Sequence, residues 1–216
     1  MRHLLFFAVC SICSAQSLSV GFVGGIRATN DVLDGATSES KRYIVGPMVN
    51  VGLPMGFEAE FDALYSHEGY RAYLSNVFGN QFSRETAQSW EFPILLRYRI
   101  PLFRFRPFAE IGFAPRTISG TIESTTVVNP YYFSPPGTFH SSAPTNWASS
   151  KGVVFGGGIQ LGFGKLHVSP EVRFTHWNNT PIYGQIPDGN GYSLTTQNQV
   201  EVVVGFGWHL FGPARR

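Results

Sequence analysis

The side chains in this chain best equipped for chemistry are ionised groups that recur at every second position. Glu58, Glu60 and Asp62 alternate with Phe57, Ala59 and Phe61. Glu91, Arg97 and Arg99 share one parity of a segment whose other parity is Trp90, Phe92, Ile94, Leu96, Tyr98 and Ile100. Arg27, Glu110, Arg116, Glu171, Arg173 and Glu201 stand the same way in other apolar segments. A charge removed from water is tolerated only beside its opposite, so pairing is the first chemistry to expect. The expectation is two internal salt-bridge clusters that plug an enclosed lumen. One joins Glu58, Glu60, Arg97, Arg99 and Glu110, and the other joins Glu171, Arg173, Glu201 and Arg27. The alternative is isolated charges along a water-filled channel, where the excess of acids over arginines would favour cations.

Other chemistries find little support. Residues 174–179 (FTHWNN) resemble the His-x-Ser-Asn segment of lipid A deacylases, but Asn178 stands at the nucleophile position and an amide cannot replace an activated serine. No enzyme is expected, and His176 is expected at an outer rim as a polar interfacial group. His67, His140, His167, His176 and His209 lack the spacing of a metal site. Gly156, Gly157 and Gly158 lack the helix that a phosphate-binding loop requires. Neither a metal nor a cofactor is therefore expected. With 16 Lys+Arg against 14 Asp+Glu and a net charge of +2, the chain has no electrostatic basis for binding nucleic acid. A charged fraction of 14% beside 15% aromatics excludes intrinsic disorder.

The elements that must position these groups are strands. Period-two alternation picks out eight segments, near 18–27, 43–53, 57–65, 90–100, 108–116, 153–163, 166–176 and 200–210. Most are close to the length a tilted membrane-crossing strand needs. Long polar connections (29–41, 67–88, 117–151, 178–197) alternate with short ones around Pro54, 101–106 and Gly164–Lys165. Such parity predicts an all-β fold, an eight-stranded antiparallel up-and-down transmembrane β-barrel with short turns at one end and long loops at the other. Pro47, Pro93 and Pro170 fall inside predicted strands, where each removes a ladder hydrogen bond. Bulges or breaks that shift the register are expected there.

The two faces decide between a secreted soluble barrel and a membrane barrel. One parity per strand can be chosen free of charge, and it is crowded with Phe, Trp, Tyr, Leu and Val. An eight-stranded interior is only just wide enough to be filled by side chains, so those rings would overfill it. Turned outward they meet lipid, while glycines and long charged chains share the lumen. Tyr43, Tyr65, Trp90, Tyr98 and Trp208 are then expected as interfacial girdles. Residues 1–15 read as a signal peptide: Arg2 and His3 precede an apolar run, and Cys13-Ser14-Ala15 offers a cleavage site. Both cysteines, Cys10 and Cys13, lie within it. Residues 16–216 are expected to form one outer-membrane barrel domain.

Residues 57–69 (FEAEFDALYSHEG), 90–100 (WEFPILLRYRI), 169–177 (SPEVRFTHW) and 197–211 (QNQVEVVVGFGWHLF) resemble the bacterial outer-membrane β-barrel family of the OmpA, OmpX and PorT type. The resemblance implies location in the cell outer membrane, contact with outer-membrane lipid, and insertion by the barrel assembly machinery. That machinery reads a last strand ending in an aromatic, a place Phe211 would take, although the lipid-facing parity of the strand runs through Leu210. The function expected is a structural or surface-interaction role through the long loops. A narrow porin-like channel for small polar solutes is the alternative, and a lipid-modifying enzyme a further one. In loop 117–151, Tyr131, Tyr132, Phe133, Phe139 and Trp147 stand among Ser, Thr and Asn as a candidate surface for an extracellular or protein ligand. They would otherwise pack on one another, or extend the strands above the membrane.

Overall fold

The computed structural model describes residues 17–29, 36–77, 79–100, 105–129, 131, 137–178, 183–185, 191–193 and 196–211. The segment read as a signal peptide lies outside them. Eight long strands carry the fold: β1 (Ser17–Arg27), β2 (Tyr43–Gly52), β3 (Phe57–Asp62 continued by Leu64–Asn76), β4 (Gly79–Glu91 continued by Ile94–Arg99), β5 (Phe105–Val128), β6 (Thr138–Phe163), β7 (Leu166–Trp177) and β8 (Asn198–Phe211). Each pairs antiparallel with the next, and β8 pairs back onto β1 as far as Arg27 opposite Glu201. The fold is an eight-stranded antiparallel up-and-down barrel, and closure leaves no sheet edge around the ring. The short turn after β2 runs through Pro54–Gly56, with Met55 at φ 61° and Gly56 at φ 87°.

Side-chain parity alternates along each of the long strands, with breaks confined to two register shifts. Outward positions of β4 read Ile100, Tyr98, Leu96, Ile94, Phe92 and Trp90, and the inward ones include Arg97, Leu95, Glu91 and Ser89. Phe22 is 67% exposed and Phe206 50%, whereas Glu60 and Arg97 are at most 1% exposed. Above Trp90 the outward side of β4 turns polar, through Gln88, Thr86 and Arg84. Opposite it, the outward side of β5 turns polar at Thr117. Tyr65 and Trp90 mark this boundary with rings 5.3 Å apart, and Phe57 and Tyr98 pair at 5.0 Å near the turn end.

Two of the long polar connections are not loops. Residues 67–88 are a strand hairpin, Leu64–Asn76 against Gly79–Glu91, and most of 117–151 is β5 paired with β6 as far as Val127–Thr138. Gly79–Glu91 also pairs with β5 from Glu91–Arg116 to Gly79–Val128, so these strands form one four-stranded sheet above the boundary. A short strand, Ala36–Ser38, lies against residues 70–72 of β3. Period two was hidden here because both faces of these extensions are rich in Ser, Thr, Gln and Asn.

The prolines do not shift the register. Val45 faces Tyr65 and Met48 faces Asp62 in one register on either side of Pro47, and the same continuity holds across Pro93 and Pro170. Pro47 and Pro93 each lack a donor but keep an acceptor in the ladder. Ala63 N–H donates to the Pro47 carbonyl at 3.1 Å, and Asp62 N–H to that of Pro93 at 3.1 Å. The cost appears as gaps in β3 at Ala63 and in β4 at Phe92–Pro93. True shifts lie elsewhere, between Leu18 and Ser19 opposite β8 and between Ile118 and Gly120 opposite β6. The first places an extra residue, Leu210, between the partners of Leu18 and Ser19, so Leu210 and Phe211 are both exposed, at 57% and 50%.

Candidate functional site

Among the described residues, the lumen is where the fold buries its charge. In its turn-side half, Arg97 of β4 reaches Glu60 at 2.9 Å, Glu110 at 2.8 Å and Glu171 at 2.7 Å, with Glu58 at 3.5 Å. Arg173 of β7 crosses to β3, where it meets Glu60 at 2.6 Å and Asp62 at 2.7 Å, and it also pairs with Glu110 at 3.3 Å and with Glu171. Arg99 pairs with Glu58 at 3.0 Å and donates to the Gln160 side-chain carbonyl at 2.8 Å. The Phe108 ring lies 4.0 Å beneath the Arg97 guanidinium, a cation–π contact out of water.

A second cluster sits nearer the loop end. Arg27 of β1 binds Glu68 at 2.9 Å, Glu91 at 2.8 Å and the Ser66 hydroxyl at 2.7 Å. Arg116 lies 4.0 Å from both Glu68 and Glu91, with its guanidinium 3.9 Å over the Trp177 ring. Trp177 donates to Gln199 at 3.0 Å, and Gln199 donates in turn to Glu201. An apolar layer separates the two clusters along the strands: Leu64 follows Asp62 on β3, Leu95 lies between Arg97 and Glu91 on β4, and Ala114 between Glu110 and Arg116 on β5.

The membership of the clusters departs from the sequence reading. Glu171 and Arg173 belong with Glu58, Glu60, Arg97, Arg99 and Glu110, not with Glu201 and Arg27. Reasoning from neighbouring strands fails here because the interior is narrow enough for long side chains to meet across it. Glu68, buried and central to the second cluster, went unrecognised because it stood in a segment read as loop. Glycines make the room. A Cβ on Gly156 would lie 2.4 Å from Glu110 Oε1 and 3.0 Å from the Val172 carbonyl oxygen. Gly156→Val is therefore expected to displace Glu110 and cost about 1–3 kcal/mol, read as a lower temperature for conversion of the compact gel band to the unfolded one.

Of the five loop aromatics, only Tyr131 and Phe139 have side chains among the described residues. Tyr131 is 87% and Phe139 61% exposed, Tyr132 and Phe133 lie outside the described residues, and the backbone of Trp147 lies in β6 at the register shift. An aromatic pair that sequence reasoning missed is Tyr73 and Phe82, with rings 4.7 Å apart on the outward face of the raised sheet. On that face Glu39 pairs with Arg71 at 2.7 Å and with Arg84 at 2.9 Å. His176 hydrogen-bonds the Asn198 side chain at 2.7 Å, and the Asn178 side-chain carbonyl accepts the Lys151 N–H at 2.9 Å. Both residues of the deacylase-like segment are thus spent on joining strands.

A closed ring of eight antiparallel strands, apolar outside and ion-paired inside, defines a β-barrel of the outer-membrane type. No protein-family model matches the chain, and no curated protein sequence does. Among solved structures it is similar to Neisserial surface protein A (NspA), with 7% identity and a TM-score of 0.45 over 90% of this chain and 97% of that one. It is also similar to the N-terminal β-barrel domain of Pseudomonas aeruginosa OprF, with 12% identity and a TM-score of 0.40 over 91% and 98%. A third is Ail, the attachment invasion locus protein of Yersinia pestis, solved in complex with the heparin analogue sucrose octasulfate, with 8% identity and a TM-score of 0.40 over 90% and 97%.

Proposed function

We propose that the chain spans the outer membrane as a plugged barrel and acts through the sheet raised above it, as a structural or surface-interaction protein and not as a channel or an enzyme. The observation that carries this reading is the inversion of the faces. Rings and branched side chains such as Phe22, Ile111, Val172 and Phe206 point outward, at 50–67% exposure, over a ring whose interior is ionised. In water this arrangement would leave a continuous apolar belt unburied, far beyond the patch a soluble monomer shows. In a bilayer the same belt faces hydrocarbon, and the closed ring lets each strand pair with neighbours on both sides.

The plug follows from the reach of the arginines. Arg173 spans from β7 to β3 and Arg97 from β4 to β7, so the lumen is bridged in two directions at one level. Above the belt, about 11 residues of β3, from Ser66 to Asn76, correspond to roughly 35 Å of strand. This raised sheet, with Tyr73, Phe82 and Phe139 exposed, is the surface offered to an extracellular or protein ligand.

Planar-bilayer recording on the purified full chain tests the reading. The native protein is expected to give no discrete conductance steps, and Arg97→Ala combined with Arg173→Ala is expected to open them. Steady single-channel steps from the native protein would favour the narrow-channel reading instead. Location is checked separately: the chain should remain with membranes through alkaline carbonate extraction.

A further inference from the structure

Below the Arg97–Arg173 cluster, at the turn-side mouth, a small cavity opens among Arg99, Arg106, Gln160, His167 and His209. No carboxylate is among its described lining residues; Glu58, behind them, is held by Arg99 at 3.0 Å. His167 is only 1% exposed, and it is seated on Gly207, where a Cβ would come within 2.2 Å of the ring. His209 lies beside it, with ring centroids 4.9 Å apart. Among the described residues, neither nitrogen of His167 has a hydrogen-bond partner, nor do His209 Nδ1 and Gln160 Nε2. The Gln160 carbonyl is already taken by Arg99 at 2.8 Å, so its amide N–H groups are what remain to offer.

Buried polar groups left unsatisfied cost on the order of 1–3 kcal/mol each, and a cluster of them marks a place where something polar is held. The donor set says what. A guanidinium, an amide N–H2 and two imidazoles, each carrying at least one N–H, converge on a space with no anionic group on its described walls. A divalent metal would find two imidazoles and no carboxylate, short of the three or four ligands such ions take. An oxyanion would find charge-assisted donors from several strands at once. We propose that this cavity binds a small phosphate-like oxyanion through Arg106, Gln160, His167 and His209. The mouth opens toward both free solutes and the headgroups of the adjacent leaflet, and either can supply the group.

The test uses the full chain folded in phosphate-free micelles with 15N-labelled histidine, titrated with inorganic phosphate against chloride at matched ionic strength. Saturable shifts of the His167 and His209 ring nitrogens are expected with phosphate only. Arg106→Gln and His167→Asn should each weaken that binding at least tenfold, while Arg71→Gln on the raised sheet leaves it unchanged. Heat-modifiable gel migration establishes that each variant is folded, and His209→Gln replaces either one that is not. Saturation by dihexanoyl phosphatidic acid in preference to inorganic phosphate assigns the source to a lipid headgroup and keeps the site. Identical responses to phosphate and chloride would show a non-selective salt effect, and no response a cavity that holds water alone; either overturns the proposal. The outcome is independent of whether the lumen conducts.

Discussion

Arg173→Ala is expected to destabilise the barrel by about 3–5 kcal/mol, the cost of breaking a buried ion pair from one side. Its guanidinium is shared by Glu60, Asp62, Glu110 and Glu171, and removing it leaves those carboxylates in one dry cluster with Arg97 as their remaining near cation. Loss of the arginine therefore adds repulsion among acids to the loss of attraction. The measurement is the temperature at which the compact, detergent-resistant gel band converts to the unfolded one, together with urea unfolding in micelles. Arg173→Ala combined with Glu60→Gln and Asp62→Asn should recover part of the loss, because two of the stranded charges are gone. A single variant as stable as the native protein would mean that water already solvates these groups and that no plug exists.

Phe206→Arg carries the second large effect, about 2–4 kcal/mol for a cation at the bilayer midplane. Phe206 sits mid-strand on β8, opposite Phe22 on one side and Val168 on the other, and is 50% exposed. The sign discriminates between the two environments. If hydrocarbon covers this face, the variant inserts poorly and unfolds at lower denaturant concentration. If water covers it, an exposed Phe→Arg change costs next to nothing and improves solubility. Thr86→Arg, on the outward face of β4 above the Trp90 boundary, should be near neutral in either case and controls for the added charge.

Much of this arrangement was legible in the sequence, for a physical reason. Where one face meets lipid and the other is enclosed, selection against charge on the outward side writes period two into the residues. Phe57–Asp62, Ile94–Arg99 and β8 could accordingly be placed, with their inward charges named, before any coordinates. The extensions of β3 to β6 were not legible, since polar residues such as Thr121, Ser124 and Gln81 carry no directional signal. The contacts of Glu171 and Arg173 were hidden for a different reason. Strand order fixes which backbones touch, but side chains of this length choose partners across the lumen. The absence of any register change at Pro47 and Pro93 shows that a proline whose carbonyl still accepts costs a ladder one bond without displacing it.

The turn-side cluster draws all its ionised members from β3, β4, β5 and β7. Neither β1 nor β8, the strands that meet at the seam, supplies an ion pair to Arg97 or Arg173. A partly built, still open ribbon running from the third strand to the seventh would thus already own every counter-charge for both arginines. Neutralisation of this cluster need not wait for the first and last strands to zip together, whereas the loop-side cluster, centred on Arg27 of β1, is complete only once they do.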